Sequence, residues 1–176
     1  MVKLPFDPLS LNAHDKAIYE AMVLERKKQG APFGGPYAAL MNHPALCQKI
    51  EALGFYLKFE GHLPRDVYQF VVLAVAKETQ SDFEWNDHVQ HALSAGLSSE
   101  IIDKLKANGL SDSSFLHPYQ LAAEILSATL FWKSIPEKIQ TDAIKEYGIR
   151  GLIEIVVLSG FYQMFSAINQ GFDVSD

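Results

Sequence analysis

Two segments, Arg65-Asp-Val-Tyr-Gln69-Phe-Val-Val-Leu-Ala74 and Arg150-Gly-Leu-Ile-Glu154-Ile-Val-Val-Leu-Ser159, align without a gap. Each places a polar amide or carboxylate four residues after an arginine, followed by a nearly identical apolar run. Neither run alternates polar with apolar residues as a half-buried strand would, and both belong to helix-length segments. They read as two largely buried helices and as a weak internal repeat. Duplication predicts a pair related by approximate two-fold symmetry in the core. The competing explanation is that buried helices share composition without sharing ancestry.

Helix signals extend outward from these segments in both directions. Asn12–Gln29 reads as a first helix, stopping at Gly30 behind the basic residues Arg26, Lys27 and Lys28. Gly30-Ala-Pro-Phe-Gly-Gly-Pro36 is a loop rich in helix breakers, without the Lys-Ser/Thr of a phosphate loop. Pro44 opens a helix to about Glu60, Pro64 one to about Thr79, and Asp82–Ala95 follows, closed by Gly96. Ser98 or Ser99 caps a short helix that stops at Asn108-Gly109. His117–Trp132, Pro136–Tyr147 and Ile149–Asn169 complete an all-α fold of about eight helices and no sheet.

The chain has 176 residues, a length that points to one domain over 1–176, and its 48% hydrophobic share is ample for a core. Fifteen Lys+Arg against 21 Asp+Glu leave a net charge of −6, so no electrostatic footprint for nucleic acid is present. The single cysteine, Cys47, cannot form an intrachain disulfide or a multi-thiolate metal site. Met1 to Pro8 shows no signal-peptide pattern. Between Arg150 and Asp173 lie 22 residues whose only charge is Glu154, about the length of a membrane span. Glu154, Gln163 and Asn169 would be costly in lipid, so this segment reads as a buried central helix. The expectation is a cytoplasmic protein with no membrane partner.

Chemistry concentrates in Ser81-Asp-Phe-Glu84-Trp-Asn-Asp-His88-Val-Gln-His91. Glu84 and His88 share a helix face at i, i+4, with His91 one turn on. Glu84 can accept from one ring nitrogen of His88 and leave the other free to shuttle protons. Ser81-x-x-Glu84 also fits a capping box, which would hold Glu84 ionised near the positive helix end. Glu84, His88 and His91 resemble a metal half-site, but zinc would need at least one further ligand and no His-Glu-x-x-His motif is present, so no metal is expected. Glu154 lies among Leu152, Ile153, Ile155 and Val156, where an unpaired carboxylate is expensive. Two readings stay open for it: an ion pair with Arg150, or a proton donor with a raised pKa.

These residues resemble the carboxymuconolactone decarboxylase family, which shares the alkylhydroperoxidase-D (AhpD) type of fold. The resemblance covers about 33–172, leaving 1–32 as an N-terminal helical extension. It rests on Leu63-Pro64, Leu73-Ala-Val-Ala76, Phe83-Glu-Trp-x-x-His88, Ala95-Gly-Leu-Ser98, and Arg150-Gly-Leu-Ile-Glu154 with Gly160-Phe-Tyr162. It implies an AhpD-like helical bundle, assembled as a homo-oligomeric trimer or hexamer. The family's peroxidase branch carries Glu, Cys-x-x-Cys and His; by position these fall on Gln69, Ser81, Glu84 and His88. A serine and a carboxylate cannot replace two thiols in redox exchange, so peroxidase activity is disfavoured.

The decarboxylase branch uses a Glu-Trp-x-x-His pattern, so Glu84 and His88 carry over. The resemblance then implies a lyase acting on a small lactone or keto acid without a cofactor. His88 would transfer the proton, Glu84 orient it and Gln69 wall the pocket, with Ser81, Trp85, His91 and Glu154 as further pocket residues. Some members carry Arg at the position of Ala74 and Glu at that of Gln69, and those departures leave the specific lactone open. The alternative is an oligomeric small-molecule-binding protein that kept the fold and lost catalysis.

Overall fold

The computed structural model describes residues 4, 6–28 and 34–174. Among them are eight α-helices and no strand. The expected glycine stop at Gly30, with most of the loop after it, lies outside the described residues. The chain divides into two compact units, Met1–Tyr56 with Ala167–Asp176, and Leu57–Ser166.

The first unit holds α1 (Ala13–Lys28), α2 (Pro36–Leu40) and α3 (Pro44–Phe55). Proline occupies the first turn of both α2 and α3, where its missing N–H costs nothing. The short α2 carries no apolar periodicity long enough to announce it. Met22, Leu40, Met41, Cys47 and Ile50 are buried. Arg26 joins α1 to α3 through Glu51 (2.5 Å) and lies 4.9 Å over the Tyr37 ring. Burial, with the charge of Glu51, pushes the Cys47 thiol up to about 12 against the opposing pull of Arg26.

The second unit is built round α4 (Arg65–Glu78), every residue of which from Val67 to Ala76 is buried. α5 (Asp82–Ser94), α6 (Ser99–Asn108) and α7 (Tyr119–Thr129) pack against it. Phe70 meets Phe115 edge-on, with ring centres 5.2 Å apart. A π-helical turn, Tyr56–Glu60, precedes α4 where a continuous α-helix to Glu60 was expected. α8 spans Glu137–Gly171, but Gly148 departs from helical geometry (φ 71°, ψ 168°). The chain therefore bends between the two helices that the sequence separates at the same glycine.

The aligned segments are not equivalent in burial. α4 is buried continuously from Val67 to Ala76, whereas Ile153, Val156 and Val157 of α8 are exposed; the two arginines, Arg65 and Arg150, are both exposed. Burial therefore gives the expected two-fold relation no support. Nor is α8 buried all round, as was expected of a central helix. It is long and apolar enough to cross a membrane by length and composition, and half of its most apolar window is buried within the protein.

Gly109 follows α6 at φ 58°, where a Cβ would meet Glu78 Oε1 at 2.3 Å. That carboxylate accepts from the Leu110 N–H at 2.7 Å. Gly109→Ala should combine backbone strain with loss of this bond and destabilise by about 3 kcal/mol. A urea unfolding midpoint unchanged from wild type would contradict this account.

Candidate active site

Gln69 and His88 come together as α4 and α5 pack. Gln69 Oε1 lies 3.0 Å from His88 Nδ1, and both side chains are almost wholly buried, at 1% and 5% exposure. An amide oxygen only accepts, so Nδ1 donates and Nε2 carries the lone pair. Tyr162, from α8, places its hydroxyl 3.1 Å from Nε2 and donates to it. The Tyr162 ring meets the imidazole edge-on at 5.2 Å. Tyr68 stands 3.1 Å from the Tyr162 hydroxyl, extending the chain to four side chains: Gln69, His88, Tyr162 and Tyr68. Arg65 lies over the Tyr68 ring at 4.8 Å and donates to the Lys58 carbonyl.

Electrostatics set the state of this chain. Burial pushes His88 down to about 3, and the positive charges of Lys58, His91 and Arg65 act in the same direction. The imidazole is therefore neutral near pH 7 and serves as an acceptor. Burial also raises the Tyr68 hydroxyl, against the opposing effects of its bond to Tyr162 and the charge of Arg65.

The spacing argument placed Glu84 as the orienter of His88, and the geometry revises this. Glu84 Oε2 is 3.9 Å from Nε2, too far for a hydrogen bond, and Asp87 Oδ2 is 3.7 Å away. Gln69 and Tyr162 fill the positions that fix the ring. Ser81 does stand at the N-cap of α5, but its side chain makes no cap bond. Its buried Oγ has no hydrogen-bond partner among the described residues, so the capping box is not formed. His91 is exposed, its ring centre 5.8 Å from that of His88. Trp85 lines a separate groove of about 310 Å³ with Asn86, Val89 and Ile102, rather than the His88 contacts.

Glu154 is buried as expected, but its partner is not Arg150. His62 and Leu63 donate backbone N–H groups to Oε2 (2.7 and 3.2 Å), and His62 Nδ1 lies 3.0 Å from Oε1. Arg150 reaches the other ring nitrogen of His62 instead. No cluster of three His, Cys, Asp or Glu able to hold a metal occurs among the described residues.

Sequence reasoning missed Tyr68, Tyr162 and His62. Tyr162 lies in Gly160-Phe-Tyr162, a segment the family resemblance singles out, yet nothing in one sequence pairs it with a histidine 74 positions away. No protein-family model, curated protein or solved structure matches the chain.

Proposed function

We propose that the chain is a small-molecule carboxy-lyase of the carboxymuconolactone decarboxylase type, built on an AhpD-like bundle. One observation carries this reading. The positions where the family's upstream Glu and its His fall, Gln69 and His88, lie 19 residues apart and are hydrogen-bonded at 3.0 Å. The all-α architecture supports it at a coarser level. The trimeric or hexameric state implied by the resemblance is supported by Ile149, Ile153, Val156 and Val157, an exposed apolar stripe on α8.

Decarboxylation of a lactone acid breaks the bond to the carboxylate, releases CO2 and leaves an electron pair that one proton must quench. Both ring nitrogens of His88 are engaged, so His88 works within a relay rather than at the substrate. A carbanion beside the tyrosines takes the Tyr162 proton as that hydroxyl turns from His88 Nε2. Tyr68 passes its own proton to Tyr162, and a proton from water restores Tyr68, while the lone pair of neutral His88 receives the Tyr162 hydroxyl again at rest. Gln69 holds the imidazole in the tautomer this requires. No step uses a cofactor, and peroxidase chemistry gains nothing from Cys47, whose buried thiol at about 12 stays protonated.

A second reading, a binding protein without catalysis, is favoured by the burial of His88 and its low pKa. CO2 release from carboxymuconolactone and related γ-lactone acids separates the two. The lyase reading expects release by the wild type and its loss in His88→Gln. Stabilisation of the wild type by these acids with no CO2 formed would establish the binding reading instead.

A further inference from the structure

His62, Glu154 and Arg150 form a second polar cluster that shares no residue with the His88 relay. The Glu154 carboxylate accepts from two backbone N–H groups and one imidazole N–H. Gly61 permits this wrapping, because a Cβ there would stand 3.0 Å from both Glu154 Oε2 and the Leu57 carbonyl oxygen. Arg150 Nη1 lies 3.0 Å from His62 Nε2. A guanidinium only donates, so Nε2 must carry a lone pair and Nδ1 the proton. Glu154 thus holds the imidazole at Nδ1 from behind, as Gln69 holds that of His88.

The outward face of the cluster meets solvent. The His62 side chain is 39% exposed, and Arg150 is exposed as well. Once Arg150 turns from Nε2, the cluster presents one acceptor, held from behind by Glu154, beside one planar cationic donor. The ligand complementary to that pair has a hydroxyl donor next to an oxyanion. We propose that His62, Glu154 and Arg150 form a binding site for a small 2-hydroxycarboxylate, with the carboxylate on Arg150 and the hydroxyl donating to His62 Nε2. A plain carboxylate satisfies Arg150 and leaves Nε2 unmatched. The Arg150–His62 contact that the ligand replaces is solvent-exposed, so displacing it costs little.

The test is a titration of full-length protein carrying ¹⁵N-labelled histidine with L-lactate at constant pH, following the imidazole resonances. His62 is assigned by its loss in His62→Gln. The expected result is a saturable shift of the His62 resonance, with propionate binding about tenfold more weakly because it lacks the hydroxyl. Arg150→Gln should weaken lactate by at least about tenfold and leave the His88 resonance in place. Because Arg150 is exposed, that variant decides the matter even if His62→Gln does not fold. Equal binding of lactate and propionate would overturn the proposal, as would no saturable shift at His62 or a shift confined to other histidines. None of these outcomes bears on CO2 release at the His88 relay, so the two sites stand or fall separately.

Discussion

Acidification from pH 6.5 towards 3 is expected to destabilise the wild-type protein steeply, and His88→Gln is expected to flatten that dependence. The sign follows from which state takes up the proton. Folded His88 stays neutral until about pH 3, held down chiefly by burial and further by Lys58, His91 and Arg65. In the unfolded chain an imidazole titrates near its ordinary value of about 6.5. Between these values the unfolded state binds a proton that the folded state refuses, so stability present above 6.5 drains away as pH falls. The slope approaches about 1.4 kcal/mol per pH unit for one such group, on the order of 4 kcal/mol across the window. That is a large share of the roughly 5–15 kcal/mol that holds a typical domain together. Urea unfolding at a series of pH values reads it directly. Equal pH slopes for wild type and His88→Gln between 6.5 and 4 would show that the imidazole does not resist protonation.

Tyr162→Phe should lower kcat for CO2 release by about 10²–10⁴, the range expected when a positioned proton donor is lost. The substitution removes one oxygen and keeps the ring against the imidazole. The buried lone pair of His88 Nε2 then loses its donor, a cost of about 1–3 kcal/mol in stability. The rate effect is separable from that cost, because Tyr68→Phe removes a hydroxyl of the same chain that does not touch His88. If Tyr68 refills the relay, its variant should slow turnover while leaving KM near the wild-type value. Tyr162→Phe with turnover within a few-fold of wild type would remove the tyrosine from the mechanism and return the proton to another donor.

The fold was legible in the sequence where backbone chemistry punctuates it. Pro44 sits in a first turn, Gly96 and Gly109 adopt positive φ at helix ends, and Gly148 breaks the long apolar stretch, whereas Pro36, read as loop, opens the unexpected α2. These signals are local, so one chain suffices to read them. The candidate site was legible only in part. Gln69 and His88 were singled out, and the packing of α4 on α5 brings them within hydrogen-bond distance. Spacing along α5 favoured Glu84 instead, because i, i+4 positions are neighbours on any helix. A shared face does not fix a hydrogen bond; the rotamer follows whatever the tertiary fold supplies, here an amide and a phenol. Glu154 shows the same limit, since its partner lies 92 residues away and most of its hydrogen bonds come from backbone. Periodicity cannot see a carboxylate that caps someone else's main chain.

Cys47 is fully buried in the first unit, its thiol protonated over any pH at which the protein is worked with. An alkylating reagent needs a thiolate and a path to it, and the closed unit offers neither. The molecule therefore carries a built-in clock for its own opening. Each labelling event marks a moment when the Met1–Tyr56 unit has come apart, while the His88 relay in the other unit reports separately through its imidazole.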